Sequence, residues 1–393
     1  MKKRLFSVLT CLALCLSLLP TAALAAEVGQ TVYVGGVELT TTADNSVVYA
    51  KTSTDGIVTA EGASAGNYSI MWDGETLTLK GAEISGGDNG ISREGSLQLV
   101  LEGTNTISGY ATGIQVTGDL TVSSASGSSG SLEVFATIYA QSAVYGISVT
   151  GNLDITGGSV NVAVAKDGTE GNEYIYGISA GGGINITGGI VSVEARNVAD
   201  NGNGDCYGLF AGGSITISDG RVETKTVGND TWRFGYGIYT ANGDVVVSGG
   251  ELELTDEKIR GYGINAEAGS ITISGGTVSA QGSSRAIYAG KEVTADPPQG
   301  MMIIVYYGST ADATQSWHYT SDKQIDYNIT NSEYFRSEVT ENTGGVQDPN
   351  ISIGGVGLYG DADTIAYATT NGNGAVTAIT GEDFDPNTGS WNI

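Results

Sequence analysis

The sequence predicts an all-β protein whose body is a single-stranded right-handed parallel β-helix with three short strands per coil, flanked by small β cap modules. The first observation is a Gly-Ile or Gly-Leu pair that recurs, usually after Tyr, at intervals of 23 to 33 residues. The second is that each repeat holds three short runs in which apolar and small polar residues alternate, as in a strand with one buried face. A fixed-period repeat favours stacked coils over a sandwich or an antiparallel barrel.

One repeat shows how the coil is built. Residues 147–149, 153–155 and 160–164 form its three runs, and Gly157-Gly158 separates the second run from the third. Glycine suits that corner because a sharp turn often needs a positive φ. Parallel strands joined by crossovers favour a right-handed path. We therefore expect stacked inward positions, exemplified by Ile147 on one face, Ile155 on the next and Val162 on the third.

The first residues predict secretion. Lys2, Lys3 and Arg4 form a basic region, residues 5–19 are almost wholly apolar, and Ala23-Leu24-Ala25 offers a small-x-small cleavage site. This pattern is typical of a secretory signal peptide, and its apolar run is short for a membrane span. We expect residues 1–25 to be a signal peptide and the protein to be secreted or extracellular. Association with a cell surface after secretion is compatible with this expectation.

The flanks of the repeats predict two related modules. Residues 26–70 do not follow the coil period and indicate an N-terminal β cap before a β-helix over residues 71–310. Residues 351–393 repeat the order of the cap, with Ile351 matching Val32 and Val376 matching Val58, offsets of 319 and 318 residues. We interpret 351–393 as a second, truncated cap module, joined through a closing segment and linker over 311–350.

The composition excludes several function classes. The chain has 17 Lys+Arg against 43 Asp+Glu, a formal net charge of −26. Nucleic acid and anionic lipid are therefore poor partners, and we expect no nucleic-acid binding and no membrane insertion. Cys206 is the one cysteine outside the signal, so no intramolecular disulfide can form there. His318 is the single histidine, which excludes a multi-histidine metal site.

Insertions between the third run of one coil and the next Gly-Ile pair fall at one corner, so they are expected to form a lateral lobe. Carboxylates and amides at short spacing there suit Ca²⁺, and the candidate metal ligands are Asp167, Glu170, Asp200, Asn201, Asn203 and Asp205. An aromatic ring beside polar groups suits a sugar, and the candidate glycan-binding residues are Asn229, Asp230, Trp232, Arg233 and Phe234. The alternative for the whole lobe is a cluster of solvated loops, and the repeated tyrosines are expected to form a structural ladder.

The Gly-Ile pairs and the Ile271-Thr272-Ile273-Ser274-Gly275-Gly276 type of run resemble the secreted β-helix repeat proteins of Gram-positive bacteria. The segment from Trp72 to Leu79 is similar to the opening of their carbohydrate-binding domain. The resemblance covers roughly residues 70 to 310 and implies binding of an acidic polysaccharide with calcium, with a host surface or cell wall as the setting. The resemblance implies membership of the pectate-lyase-like superfamily.

Three functions follow from this reading. The first is calcium-assisted glycan binding without catalysis. The second is a structural stalk or adhesin segment that binds a host or matrix protein. The third is a polysaccharide lyase or hydrolase, which is disfavoured because the sequence lacks the Asn-Thr-Asp, Asp-Asp, Gly-His-Gly and Arg-x-Lys strings of polygalacturonases.

Overall fold

The computed structural model describes residues 29–42, 46–86, 89–109, 112–138, 143–166, 174–197, 204–228, 234–257, 260–312, 315–342, 351–353, 356–358, 367–370 and 376–379. The strands that precede the coils are β1 (Thr31–Val34), β2 (Val37–Thr40), β3 (Val48–Thr52), β4 (Val58–Thr59) and β5 (Ile70–Trp72). They pair antiparallel, β1 with β2 and β3 with both β4 and β5.

The coils themselves are built from short strands. They are β6 (Thr76–Lys80), β7 (Glu83–Ser85), β8 (Asn89–Arg93), β9 (Leu97–Glu102), β10 (Thr104–Gly109), β11 (Thr112–Val116), β12 (Leu120–Ser124), β13 (Ser131–Ile138), β14 (Val144–Val149), β15 (Leu153–Ile155), β16 (Ser159–Lys166), β17 (Ile175–Ala180), β18 (Ile184–Ile186), β19 (Ile190–Asn197), β20 (Cys206–Ala211), β21 (Ile215–Ile217), β22 (Arg221–Gly228), β23 (Phe234–Thr240), β24 (Val245–Glu257), β25 (Arg260–Ala266), β26 (Ile271–Gln281), β27 (Arg285–Ala289) and β28 (Val293–Ala295).

These strands form three parallel faces, which confirms the predicted β-helix. Face one contains β8, β11, β14, β17, β20, β23, β25 and β27, in that order across the sheet. Face two contains β6, β9, β12, β15, β18, β21, the first part of β24, the first part of β26, and β28. Face three contains β7, β10, β13, β16, β19, β22 and the later parts of β24 and β26.

The core lies inside the coils, where equivalent residues of successive coils stand next to each other. On face one Ile147 pairs with Ile178, and the column continues through Leu209. Every member of the three predicted inward columns is at most 2% exposed: Ile147, Ile178, Leu209, Ile238 and Ile264; Ile155, Ile186, Ile217, Val247 and Ile273; Val162, Val193, Thr224, Leu254 and Ala280. Burying one aliphatic side chain of this size contributes about 1.5–3 kcal/mol, so stacking supplies the stability that one coil lacks.

The N-terminal end of the rod is closed by antiparallel pairing. Strand β1 pairs with β8, which places Val34 beside Ile91. Arg93 fastens this closure, because its guanidinium donates to the carbonyl of Thr31 and to Oε1 of Gln30, each at 2.5 Å. The same guanidinium lies 5.2 Å from the ring centroid of the buried Trp72. An edge that would otherwise invite another strand is thus covered.

The other end is closed by the segment that follows the last coil. Its elements are β29 (Met301–Gly308), β30 (Gln315–Tyr319), β31 (Lys323–Gln324), α1 (Tyr327–Thr330) and β32 (Tyr334–Glu341). Strand β32 pairs antiparallel with β26, placing Ala280 beside the fully buried Phe335, and β31 pairs antiparallel with β28. The edges of faces two and three are therefore covered by this closing element.

The C-terminal strands repeat the pairing register of the N-terminal cap. They are β33 (Ile351–Ile353), β34 (Val356–Leu358), β35 (Tyr367–Thr370) and β36 (Val376–Ile379). Ile351 pairs with Leu358 just as Val32 pairs with Leu39, an offset of 319 on both strands. Thr369 pairs with Thr377 just as Lys51 pairs with Thr59, an offset of 318 on both strands. The internal duplication seen in the sequence is thus also a duplication of strand pairing.

Candidate functional site

The outer surface of face one carries a column of stacked tyrosines. Consecutive coils lie about 4.8 Å apart, so equal rings at equal positions are brought to stacking distance. The ring centroids of Tyr145 and Tyr176 are 4.9 Å apart and those of Tyr176 and Tyr207 are also 4.9 Å apart. Tyr236 and Tyr262 continue the column at 5.0 and 5.7 Å, and all four interplanar angles are 9° or less. The predicted tyrosine ladder is therefore confirmed.

A second aromatic column runs beside the ladder, three residues further along each strand. Phe210 and Tyr239 stack with centroids 5.4 Å apart and planes 11° apart. Both meet Tyr207 edge-on, at interplanar angles of 83° and 72°. Edge-to-face and offset-stacked contacts are the arrangements that aromatic rings favour. The two columns hold each other in fixed orientations, which makes this surface stiff.

A third column lies at the start of these strands and contains the most exposed rings of the three columns. Tyr174, Asp205 and Phe234 occupy it on three consecutive coils, because the carbonyl of Asp205 accepts from the amide of Ile175 and the carboxylate of Asp205 accepts from the amide of Phe234 at 3.0 Å. Tyr174 is 45% exposed and Phe234 is 38% exposed. A carboxylate is thereby placed between two rings that solvent can reach. We call the three columns together the aromatic platform.

The hydroxyl groups of the three central ladder tyrosines, Tyr176, Tyr207 and Tyr236, remain protonated over a wide pH range. Burial raises the pKa of Tyr176, Tyr207 and Tyr236, and the negative charge of Asp205 raises it further. The hydroxyl of Tyr207 lies 3.5 Å from Oδ2 of Asp205. At neutral pH the platform therefore combines neutral phenols, apolar ring surface and one carboxylate, a mixture suited to a ligand with both hydroxyls and C–H surface.

Two of the residues predicted to bind calcium or glycan in the lobe lie in the described part of the chain. Phe234, a predicted glycan-binding residue, and Asp205, a predicted calcium ligand, are neighbours in the platform. The remaining predicted residues lie outside the described part of the chain: Asp167, Glu170, Asp200, Asn201, Asn203, Asn229, Asp230, Trp232 and Arg233. Their calcium and glycan roles stay predictions.

Sequence reasoning missed Tyr174, Phe210 and Tyr239 as site residues. Phe210 and Tyr239 stand where other coils have Ser148 and Ser179. An aromatic residue at an outward position that other repeats fill with serine was the available signal. For Tyr174 the available signal was its place in the repeat, since it stands two residues before the ladder tyrosine Tyr176, as the predicted Phe234 stands before Tyr236.

Among the described residues, no group of three or more histidine, cysteine or acidic side chains is placed to hold a metal ion. Cys206 is buried, with its sulfur 3.9 Å from the carbonyl oxygen of Val227. In the same ranges no helix is long and apolar enough to span a bilayer.

Comparison with known proteins gives no match for this chain, whether among protein-family models, curated proteins or solved structures.

Proposed function

We propose that this protein binds a polysaccharide along the aromatic platform and does so without catalysis. The observation that carries the proposal is the column of Tyr174, Asp205 and Phe234, in which two exposed rings flank a carboxylate on a rigid surface. The proposal includes secretion to the outside of the cell, since a polymeric glycan of a cell wall or host surface would be met there.

The chemistry of the column matches that of a sugar. The C–H face of a pyranose packs on an aromatic ring, while its hydroxyls need acceptors and donors nearby. Tyr174 and Phe234 offer the rings, Asp205 offers carboxylate oxygens, and the hydroxyl of Tyr174 can donate or accept. One ligand unit can therefore satisfy both its apolar and its polar surface here.

The shape of the platform favours a polymer over a single sugar. The ladder runs along the rod from Tyr145 to Tyr262 with near-constant spacing. Because the rings support one another, little side-chain entropy remains to be lost when a ligand binds. An extended chain could engage several coils at once, and weak contacts at each coil would add up.

The resemblance of the repeats to secreted carbohydrate-binding β-helix proteins of the pectate-lyase-like superfamily supports the same proposal. In it, calcium assists binding through the acidic residues of the lobe. Hydrolysis would require a pair of carboxylates set across the scissile bond. The proposal instead gives Asp205 the role of hydrogen-bond acceptor.

The first experiment is native affinity electrophoresis of the protein from Ala26 through gels that contain plant and mucin polysaccharides, with Ca²⁺ and again with EDTA. Retardation by at least one polysaccharide is expected, and loss of retardation in EDTA would support the calcium part. Absence of retardation on every polysaccharide would contradict the proposal and favour the stalk or protein-adhesin function.

Variants locate the site. The double variant Tyr174→Ala/Phe234→Ala removes both exposed rings. It is expected to reduce polysaccharide affinity at least tenfold, because the aromatic surface on which a sugar ring packs is lost on both sides of Asp205. Phe135→Ala is the matched control, since Phe135 is also 45% exposed but lies on face three. Equal loss in both variants would show that binding does not depend on the platform.

A further inference from the structure

A cleft of about 560 Å³ lies where the last coil meets the closing element. Strands β27 and β28 form one wall, and β30, β31 and α1 contribute the other. Its volume is within the range of about 300–1,000 Å³ that is common for small-molecule sites. The cleft is separate from the column of Tyr174, Asp205 and Phe234.

An arginine that contacts two aromatic rings lines this cleft. Arg285 occupies the ladder position of the last coil, directly next to Tyr262. Its guanidinium carbon is 5.4 Å from the ring centroid of Tyr288 and 5.6 Å from that of Tyr327. Nη2 also donates to the hydroxyl of Tyr327 at 3.4 Å. These contacts orient the guanidinium without neutralising it, and within the described chain it makes no ion pair.

The side chains that line the cleft have a formal excess of one positive charge, in a strongly acidic protein. Arg285, Lys291 and Lys323 line it together with Glu292 and Asp326, whereas the whole chain has a formal net charge of −26. The carboxylate of Asp326 also accepts from the amide of Asn328 at 2.8 Å as the N-cap of α1. A local excess of positive charge in a concave site attracts an anion.

Aromatic surface completes the lining. Tyr288, Trp317 and Tyr327 line the same cleft, and Tyr327 is 64% exposed. Rings supply the apolar contact that a pyranose needs, and a guanidinium pairs with a carboxylate through two parallel hydrogen bonds. Cation and ring surface therefore occur together at the scale of one sugar unit.

We propose that this cleft is a second binding site, specific for an acidic sugar unit, that is, a hexuronate. Its carboxylate pairs with Arg285, with Lys291 adding charge, and its ring packs against the aromatic wall. This site goes beyond polysaccharide binding by the platform and does not depend on it.

The groove at the opposite end of the rod also contains an arginine, but its other charged side chains are acidic. It encloses about 1,110 Å³ and contains Arg93 beside Asp73, Glu75 and Asp119. There the guanidinium is already engaged by Thr31 and Gln30 and stacked on Trp72. An incoming carboxylate would have to displace those contacts and would meet three acidic side chains. Of these two cavities among the described residues, the cleft at Arg285 is the one with more basic than acidic side chains in its lining.

The test is isothermal titration calorimetry of the full chain with glucuronate, glucose and acetate. Glucuronate is expected to bind at least tenfold more tightly than either glucose or acetate, because it alone presents both the ring and the charge. Acetate binding as tight as that of glucuronate would overturn the sugar specificity. No heat with glucuronate would overturn the site altogether.

Three variants assign the heat to the cleft. Arg285→Gln is expected to weaken glucuronate binding at least tenfold, and Lys291→Gln, at an exposed position, at least threefold. Arg336→Gln is the matched control, because Arg336 also lies over a tyrosine ring, that of Tyr306 at 4.3 Å, but does not line the cleft. Unchanged affinity in both Arg285→Gln and Lys291→Gln would overturn the proposal.

The double variant Tyr174→Ala/Phe234→Ala separates this site from the platform. It is expected to keep its affinity for glucuronate whatever its affinity for polysaccharide. Loss of glucuronate binding in that variant would place the acidic sugar on the platform and contradict the second site.

Discussion

At the scale of single residues, Tyr207 is the centre of the aromatic platform. It stacks on Tyr176 and Tyr236 and meets Phe210 and Tyr239 edge-on, and it is only 8% exposed. Aromatic pairs of this kind are worth about 0.5–1.5 kcal/mol each beyond the burial of their area. Its ring therefore stabilises the face on which the exposed rings depend, whereas its hydroxyl makes only a long contact, 3.5 Å, to Asp205.

We predict that Tyr207→Ala lowers the free energy of unfolding by about 3 kcal/mol, as for other large aromatic side chains removed from packed sites. Tyr207→Phe keeps the ring and is expected to change it by less than about 1 kcal/mol. Urea unfolding followed by circular dichroism measures both. A small loss for Tyr207→Ala would mean that the ladder contributes little to stability.

The tyrosine pKa values predict how stability depends on pH. In the unfolded chain tyrosines ionise near pH 10, whereas burial raises the pKa of Tyr176, Tyr207 and Tyr236 in the folded protein. Above about pH 10 the folded state therefore holds more protons than the unfolded state, and the free energy of unfolding must fall as pH rises. Below that pH these groups contribute no pH dependence.

Urea unfolding midpoints at a series of pH values from about 8 to 11 test this prediction. Tyr207→Phe is expected to show a shallower decline at alkaline pH, because it removes one of the shifted groups while keeping the stack. Identical declines in the variant and the original protein would contradict a raised pKa at Tyr207.

At the scale of elements, the corner between faces two and three is a stack of glycines. Gly158, Gly189, Gly220, Gly250 and Gly276 all have positive φ, between +71° and +87°. They also lie close to the backbone of the preceding coil, since a Cβ on Gly220 would come within 2.5 Å of the carbonyl oxygen of Gly189. Both the backbone conformation and the spacing of the coils therefore require glycine here.

We predict that Gly220→Ala lowers the free energy of unfolding by more than about 2 kcal/mol, as it combines an unfavourable positive φ with a clash. Gly127→Ala is the control, because Gly127 also has a positive φ, +76°, but no atom within 4 Å of the added Cβ. Its cost is expected to be about 1–2 kcal/mol. Chemical denaturation compares them, and equal losses would show that coil spacing adds nothing.

At the scale of the whole molecule, the rod is a stack in which each coil contacts its neighbours. The strands of the first and last coils lack one neighbouring coil, so their edges must be covered in another way. The N-terminal end is covered by β1 and the C-terminal end by β31 and β32. Uncovered strands in a parallel stack of this kind would template association with other chains. The closing element is therefore a condition for a monodisperse rod.

We predict that a chain truncated after residue 295, which lacks the closing element, aggregates because the edges of β26 and β28 are exposed. A chain truncated after residue 342 keeps that element and is the control, expected to elute as a discrete species. Size-exclusion chromatography with light scattering distinguishes them. A discrete species from the shorter chain would contradict the capping role.

The sequence by itself determined the coil. Inward positions such as Ile147, Ile155 and Val162 alternate with polar residues, and this local pattern decides which side of each strand is buried whatever happens elsewhere. The repeated glycine at each corner determined where the strands turn. For the same reason the duplicated cap could be recognised from its order of strands, and its pairing register repeats with the same offsets.

Only the tertiary structure decided which outward side chains are exposed and which of them contact the closing element. Tyr174 and Phe234 lie on the coils to either side of Asp205, and Arg285 contacts Tyr327, although each pair is distant in sequence. The repeat aligns Tyr174, Asp205 and Phe234, each two residues before a ladder tyrosine, but it does not show how exposed each side chain is or which residues meet the closing element. An outward side chain is not buried in the core, so the pattern of buried residues does not constrain it. Its surroundings depend on how each coil packs against the previous one. The physical reason is that burial is encoded locally, whereas a surface site is encoded by the stacking of the coils.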